Sequence, residues 1–314
     1  MSKFNVTKQA SLWWSLSVVM ILSSLVAMFI SWQQFHAPLR PGLDFTGGTR
    51  LQLELDCIKP GNCGKPIDLA QVRSVLADAR LADSSIQLLG QKQRAILIRT
   101  RPLDPGQRAQ LQTALSQKVG QFAPEKTQID SVGPIIGQQV FSSGLTSLLV
   151  AFAGIAVYIS LRFRSDYAII AIIALFHDVF ITLGVFSILG LVVGIEADSL
   201  FVVALLTIAG FSVHDTVVIF DRVRENLHDT PDRPISDLVD DSVRQTLSRS
   251  INTVLTVLLT LTTLFLFGGA TLKNFALTLI IGFILGAYSS IFVASPLLAW
   301  WRSRSINRLK SVSQ

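Results

Sequence analysis

Six blocks of roughly twenty apolar residues constrain this chain more than anything else in it: about 12–31, 140–161, 167–193, 200–220, 251–267 and 275–301. A helix advances about 1.5 Å per residue and the hydrocarbon core of a bilayer is about 30 Å thick, so each block is long enough to cross. Only 15% of residues are charged, against about 25% in ordinary soluble domains, and the mean hydropathy of +0.51 agrees. The fifth block is the shortest and is expected to begin earlier, within the polar segment before it. Lys3 and Lys8 flank the first block as they would a cleaved leader. However, it runs into Trp32-Gln33-Gln34-Phe35, bulky residues unsuited to cleavage, so a retained span is expected.

All five tryptophans fall at block ends: Trp13, Trp14 and Trp32 on the first, Trp300 and Trp301 on the last. Indoles settle at the headgroup level, which supports these boundaries. Basic residues then orient the chain. Lys3, Lys8, Arg162, Arg164, Arg222, Arg224, Arg249 and Arg302 to Lys310 fall on one side, whereas the short loops 190–199 and 268–274 carry only Lys273. Lys and Arg accumulate in cytoplasmic loops, so both termini are expected in the cytoplasm and residues 33–138 on the exported side. The net charge of +6 follows from this bias and is no sign of nucleic acid as a partner. The division expected is a tail and first span over 1–32, an exported domain over 33–138, spans two to six over 139–301 with a cytoplasmic loop at 221–250, and a basic cytoplasmic tail over 302–314.

The exported segment reads as a small α+β unit. Leu51, Leu53 and Leu55 alternate, as in a half-buried strand over 50–56. Leu69, Val72, Val75, Leu76 and Ala79 share one helical face over 67–81. Strands at 85–89 and 94–100 follow, with Gly90-Gln91-Lys92 as the turn between them. A helix over 106–122 and a strand over 127–132 complete a βαββαβ order, the ferredoxin-like arrangement. The fold class is thus a membrane all-α six-helix bundle with an inserted, exported ferredoxin-like domain. The insert holds no nucleophile–base pair, phosphate loop or metal-ligand cluster in its sequence, so it reads as a binding or propping element and not as an enzyme. Cys57 and Cys63 are the only cysteines, and an exported compartment is oxidising, so a disulfide closing their short loop is expected.

Ionisable groups inside apolar blocks are costly and mark function by default. Asp178, beside His177, falls near the middle of the third block. Asp215, beside His214, lies near the cytoplasmic end of the fourth, and Arg249 just precedes the fifth at similar depth. A carboxylate that meets a movable cation and intermittent water can take up and release a proton; the alternative is a static Asp215–Arg249 pair holding two spans together. For Asp178 a merely protonated, hydrogen-bonded carboxyl is as good a reading. The two histidines read as packed or capping imidazoles before they read as relays. Gly282 and Gly286 form G-x-x-x-G, which allows close helix contact. Pro296 is expected to kink or end the last helix. Residues 234–250 place Ile235, Leu238, Val239, Val243 and Leu247 on one face, as in a helix lying along the membrane surface.

Three longer stretches resemble one family. Gly42-Leu43-Asp44-Phe45-Thr46-Gly47-Gly48-Thr49 follows the first span; residues 210–226, from Gly210-Phe211-Ser212-Val213-His214-Asp215 to Arg224-Glu225-Asn226, fill the fourth; and Thr246-Leu247-Ser248-Arg249-Ser250-Ile251-Asn252-Thr253 opens the fifth. In that order they resemble the SecD/SecF protein-export family. Six spans with one small exported domain look like its SecF side, since SecD-type members carry a much larger exported region. The resemblance implies an accessory subunit of the Sec translocon in the bacterial inner membrane, with a fold similar to half of a resistance-nodulation-division transporter. It implies pairing with SecD, contact with translocon channel subunits and translocating preproteins, and protons as the coupling ion without any bound cofactor. By position, Asp215 and Arg249 match family residues implicated in the proton path, with Asp178 and His214 weaker candidates. His214 stands where Asn is expected in many relatives. Gly42, Asp44, Gly47 and Gly48 would form a hinge between the first span and the domain, or simply open the first strand. The competing functions are a small-molecule exporter of the same superfamily and a passive translocon scaffold.

Overall fold

The computed structural model describes residues 5–58, 62–64, 66–90 and 92–312, with backbone only at 270–271 and from 305 on. Lys3 and Gln91, and the side chains of Arg308 and Lys310, lie outside what is described. The chain divides into two compact units, Pro41–Ser143 and the remainder.

In the smaller unit a single-turn helix, α2 (Leu43–Thr46), leads into β1 (Gly48–Glu54). Then come α3 (Leu69–Asp78), β2 (Ser85–Leu89), β3 (Ala95–Thr100), α4 (Pro105–Lys118) and β4 (Gln128–Val132). The strands form one antiparallel sheet in the order β2-β3-β1-β4. Register pairs Leu51 with Ile98 on one side of β1 and with Ile129 on the other. Period-two alternation sends Leu51, Leu53, Ile96 and Ile98 inward, where they meet Val72, Leu76, Leu111 and Leu115 from the two helices. Local chemistry sets the helix starts. The Asp68 carboxylate accepts from the Ala70 N–H at 2.8 Å. Asp104 and Gln107 close a reciprocal capping box around Pro105. The helix expected to reach residue 122 stops at Lys118 because Gly120 adopts φ +141°, and Phe122 then bridges to Leu55.

The larger unit is helical: α1 (Ala10–Phe35), α5 (Pro134–Arg162, which begins in the smaller unit), α6 (Ser165–Val192), α7 (Ser199–Asp229), α8 (Ile235–Phe267), α9 (Ala270–Ser289) and α10 (Ser295–Val312). Six helices are long and apolar enough to cross a membrane, the last formed by α9 and α10 together. α6 and the α9–α10 rod are the most enclosed, whereas α1, α5 and α8 leave most of their surface open. Trp14 lies edge-on to Trp300 with ring centroids 6.3 Å apart, so the start of α1 and the start of α10 share one end of the bundle.

Two expectations are corrected, the second only in part: residues 234–250 are no separate surface helix, and the last helix does not end at Pro296. The segment over 234–250 is not a separate amphipathic helix: it is the first half of α8, continuous with the fifth candidate span. Its apolar residues Leu238, Val239 and Val243 are fully buried. Asp240 accepts from the Thr7 N–H and hydroxyl at 3.0 and 2.7 Å, and Ser242 accepts from the Asn226 amide at 2.7 Å. The apolar stripe is therefore consumed by protein neighbours, and the connection between α7 and α8 shrinks to residues 230–234. Pro296, in turn, does not end the last helix. One turn of wider π-helix, Ser290–Ala294, precedes it, which takes up the missing proline N–H without breaking the rod.

Candidate functional site

The polar centre of the bundle forms where α7 and α9 approach closely. A side chain at Gly282 would overlap Ile208, and a Cβ at Gly286 would sit 3.3 Å from the Ser212 Cβ and 3.8 Å from an Asp178 carboxylate oxygen. The G-x-x-x-G pair thus brings α9 against α7 at the carboxylate itself.

Asp178 is fully buried. Its Oδ2 accepts the Ser212 hydroxyl of α7 at 2.5 Å and the Ser289 hydroxyl of α9 at 2.6 Å. Its Oδ1 lies 2.9 Å from His177 Nδ1. The imidazole stacks on Tyr288, with centroids 6.4 Å apart. The Tyr288 hydroxyl donates to the Trp13 carbonyl at 2.8 Å and contacts the Ser17 hydroxyl at 3.1 Å. Hydrogen bonds at Asp178 therefore tie α6, α7 and α9 together, and a ring stack links His177 to Tyr288, whose hydroxyl reaches α1. His177 Nε2 is buried with no partner. Beside these contacts, the Thr216 and Ser290 hydroxyls pair at 2.8 Å, at the first residue of the π-turn.

Asp215, one turn below Ser212 on the same α7 face, is buried and accepts the Ser250 hydroxyl of α8 at 2.7 Å through Oδ1. Its Oδ2 is buried without a hydrogen-bond partner. Arg249 exerts its field on Asp215 but is exposed and forms no ion pair with it among the described residues. At Asp215 itself the contact between α7 and α8 is thus made by the serine next to the arginine. His214 is exposed and points out of the bundle. An unpartnered buried acceptor needs an explanation: Asp215 Oδ2 is a place for a proton, a water or a re-oriented Arg249.

In the smaller unit, Gly42 to Gly48 form a tight strand entry. The Thr46 hydroxyl donates to the Gly42 carbonyl at 3.1 Å, and Asp44 lies in the first turn of α2. Gly47 has φ +69°, and a Cβ there would meet Pro134 Cα at 2.9 Å. Gly48 has φ +121°, and a Cβ would meet the Thr100 carbonyl at 2.7 Å. Only glycine combines those angles with that contact. Cys57 and Cys63 are joined in a disulfide.

Sequence reasoning named both carboxylates and missed their partners. Ser212, Ser289, Ser250 and Tyr288 look like ordinary residues in apolar runs. One signal was available: Ser212 and Asp215 are three residues apart, as are Gly286 and Ser289, so each pair shares a helix face.

With this geometry in view, comparison with known proteins is specific. The family described as "Protein export membrane protein SecD/SecF, C-terminal" matches residues 111–304, and "SecD/SecF GG Motif" matches residues 35–57. A Synechocystis "Protein translocase subunit SecF" is 54% identical, covering 92% of this chain and 91% of its own. The subunit of the same name from Vibrio alginolyticus is 38% identical over 90% and 84%. Among solved structures, SecDF from Thermus thermophilus, described as a translocon-associated membrane protein, superposes with a TM-score of 0.78 at 29% identity. It covers 96% of this chain, which spans only 39% of that longer one.

Proposed function

Because the chain belongs to the SecD/SecF family of protein-export membrane proteins, on its SecF side, we propose that it couples proton movement to late steps of preprotein export, paired with a SecD subunit. It is a multi-pass translocase subunit of the Sec system and a transporter, not an enzyme. The observation that carries the coupling reading is Asp215: a buried carboxylate with one oxygen held by Ser250 and the other unpartnered, in the field of His214 and Arg249.

Protonation at Oδ2 removes the charge that Arg249 feels, and deprotonation restores it. Either change alters the force between α7 and α8, the helices that Asp215 and Ser250 join. Asp178 shares the field at Asp215, and its serine contacts tie α6, α7 and α9 into the same response. The SecDF superposition, with this chain matching about two fifths of the longer one, supports a bundle completed by SecD. The βαββαβ insert, read as ferredoxin-like and exported to the far side of a bacterial inner membrane, would carry the motion to the preprotein. Translocon channel subunits are the other partners of this reading.

The test is Asp215→Asn, which keeps an acceptor for Ser250 but cannot ionise. In membrane vesicles carrying the SecD partner, the variant should assemble at wild-type levels and lose the gradient-dependent part of export, leaving motor-driven entry intact. Gradient-dependent export at the wild-type rate would refute proton coupling at this residue and favour a passive scaffold.

A further inference from the structure

A second feature lies apart from the coupling centre. The ends of α5, α6 and α7 and the middle of α10 line an open pocket of about 420 Å³. Four arginines line it: Arg162, Arg164, Arg224 and Arg302, with His228 at its edge. Two of the four are neutralised locally. Arg302 donates to Asp166 at 2.7 Å and lies over the Tyr167 ring at 4.5 Å, while Arg162 pairs with Asp221 at 3.2 Å. Arg164 and Arg224 have no carboxylate partner among the described residues, although their charges reach the Tyr167 phenol. Tyr167 itself is only 2% exposed, lines the pocket, and has a buried hydroxyl with no hydrogen-bond partner. Arg164 and Arg224 are exposed, and together with the unmet Tyr167 O–H donor around one cavity they suit an anionic, oxygen-rich acceptor.

We propose that this pocket binds the phosphate headgroup of an anionic membrane lipid. The geometry favours a lipid over a free anion because the apolar surface beside the pocket is open for acyl chains. Leu161, next to Arg162, is 84% exposed, and Ile169 and Ile173 on α6 are also exposed. The pocket sits where candidate spans end, and clustered basic residues at the ends of spans suit anionic lipid headgroups. Arg164 and Arg224 supply the two free charges, Tyr167 donates to a phosphate oxygen, and Arg302 is held in place by Asp166. The inference requires only that these helices cross a bilayer and stands independently of proton coupling.

The experiment titrates the full-length protein, delipidated in detergent, with phosphatidylglycerol, phosphatidylcholine or inorganic phosphate, and reads bound lipid by native mass spectrometry alongside thermal stability. Phosphatidylglycerol should bind at least tenfold more tightly than phosphatidylcholine, and inorganic phosphate should not reproduce the stabilisation. Arg164→Gln with Arg224→Gln should weaken phosphatidylglycerol roughly thirty-fold, about 2 kcal/mol for two charges. The pair Arg73→Gln with Arg94→Gln, on the sheet domain, should leave it unchanged. Tyr167→Phe keeps the ring against Arg302 and removes only the donor; it should weaken binding about fivefold, and it serves if the double variant does not fold. Equal affinity in the Arg164/Arg224 variant, or in Tyr167→Phe where the double variant fails to fold, would overturn the site. Stabilisation by phosphate equal to that by the lipid would overturn the lipid as its ligand.

Discussion

Gly184→Ala is the substitution whose consequence follows most directly from the packing of α1 on α6. A Cβ built on Gly184 would stand 2.6 Å from the Ser24 Cα, with the Ser24 side chain nearer still. The Ser24 Cβ, fixed by its backbone, would lie at 2.0 Å, and ordinary contact needs about 3.5–4.0 Å between carbons, so α1 must retreat by about 1.5–2 Å. The face of α1 that loses contact is its row of buried small residues, Ser17, Ser24, Ala27 and Ser31. Overpacking of this kind costs about 1–3 kcal/mol, a five- to 150-fold fall in the folded-to-unfolded ratio. Gly154 and Gly210 are the internal controls: a Cβ at either meets nothing within 4 Å, so alanine there should be neutral or stabilise by up to about 1 kcal/mol through helix propensity. The assay is reversible unfolding of the three variants in one detergent. Adding Ser24→Gly to Gly184→Ala should restore only part of the loss, because the conflicting Ser24 Cα remains. Gly184→Ala matching Gly154→Ala, or complete rescue by Ser24→Gly, would refute a backbone-level contact. The same variant should impair export, since α1 also supplies Ser17 and the Trp13 carbonyl that hold Tyr288 beside His177.

Two further outcomes concern the sheet domain. Gly48→Ala combines a left-handed φ with a clash on the Thr100 carbonyl, whereas Gly90→Ala has a left-handed φ of +77° in open space. Gly90→Ala should cost about 1 kcal/mol and Gly48→Ala at least 2 kcal/mol more, read as protease resistance of the domain; equal losses would show that the carbonyl contact does not matter. Replacing Cys57 and Cys63 together by serine opens a loop with a sequence separation of 6. Such a short loop predicts a loss of about 2 kcal/mol, visible as earlier unfolding of the oxidised wild type on adding reductant. No change in that midpoint would mean the bridge braces only its own loop.

The order of elements was legible from local pattern. Six apolar runs matched six candidate spans and alternation in Leu51–Leu53–Leu55 marked β1, because hydropathy period depends on neighbours within a turn or two; the caps Asp68 and Asp104 moved the helix starts from the expected 67 and 106 to 69 and 105. Asp178 and Asp215 were also legible, since a carboxylate in an apolar run is conspicuous wherever it points. What the two carboxylates touch was not. The expected partner of Asp215 was Arg249, yet the hydroxyl that reaches it belongs to Ser250; His214 faces outward, and Pro296 sits in an unbroken rod beside a π-turn. The physical reason is that a helix apolar all round carries no marker of which face meets which neighbour. Its rotation is set by close approaches such as Gly286 on Ser212 and Gly184 on Ser24. One residue's difference along α8 turns the side chain by about 100°, enough to exchange a serine contact for an arginine one, and only the packed bundle decides between them.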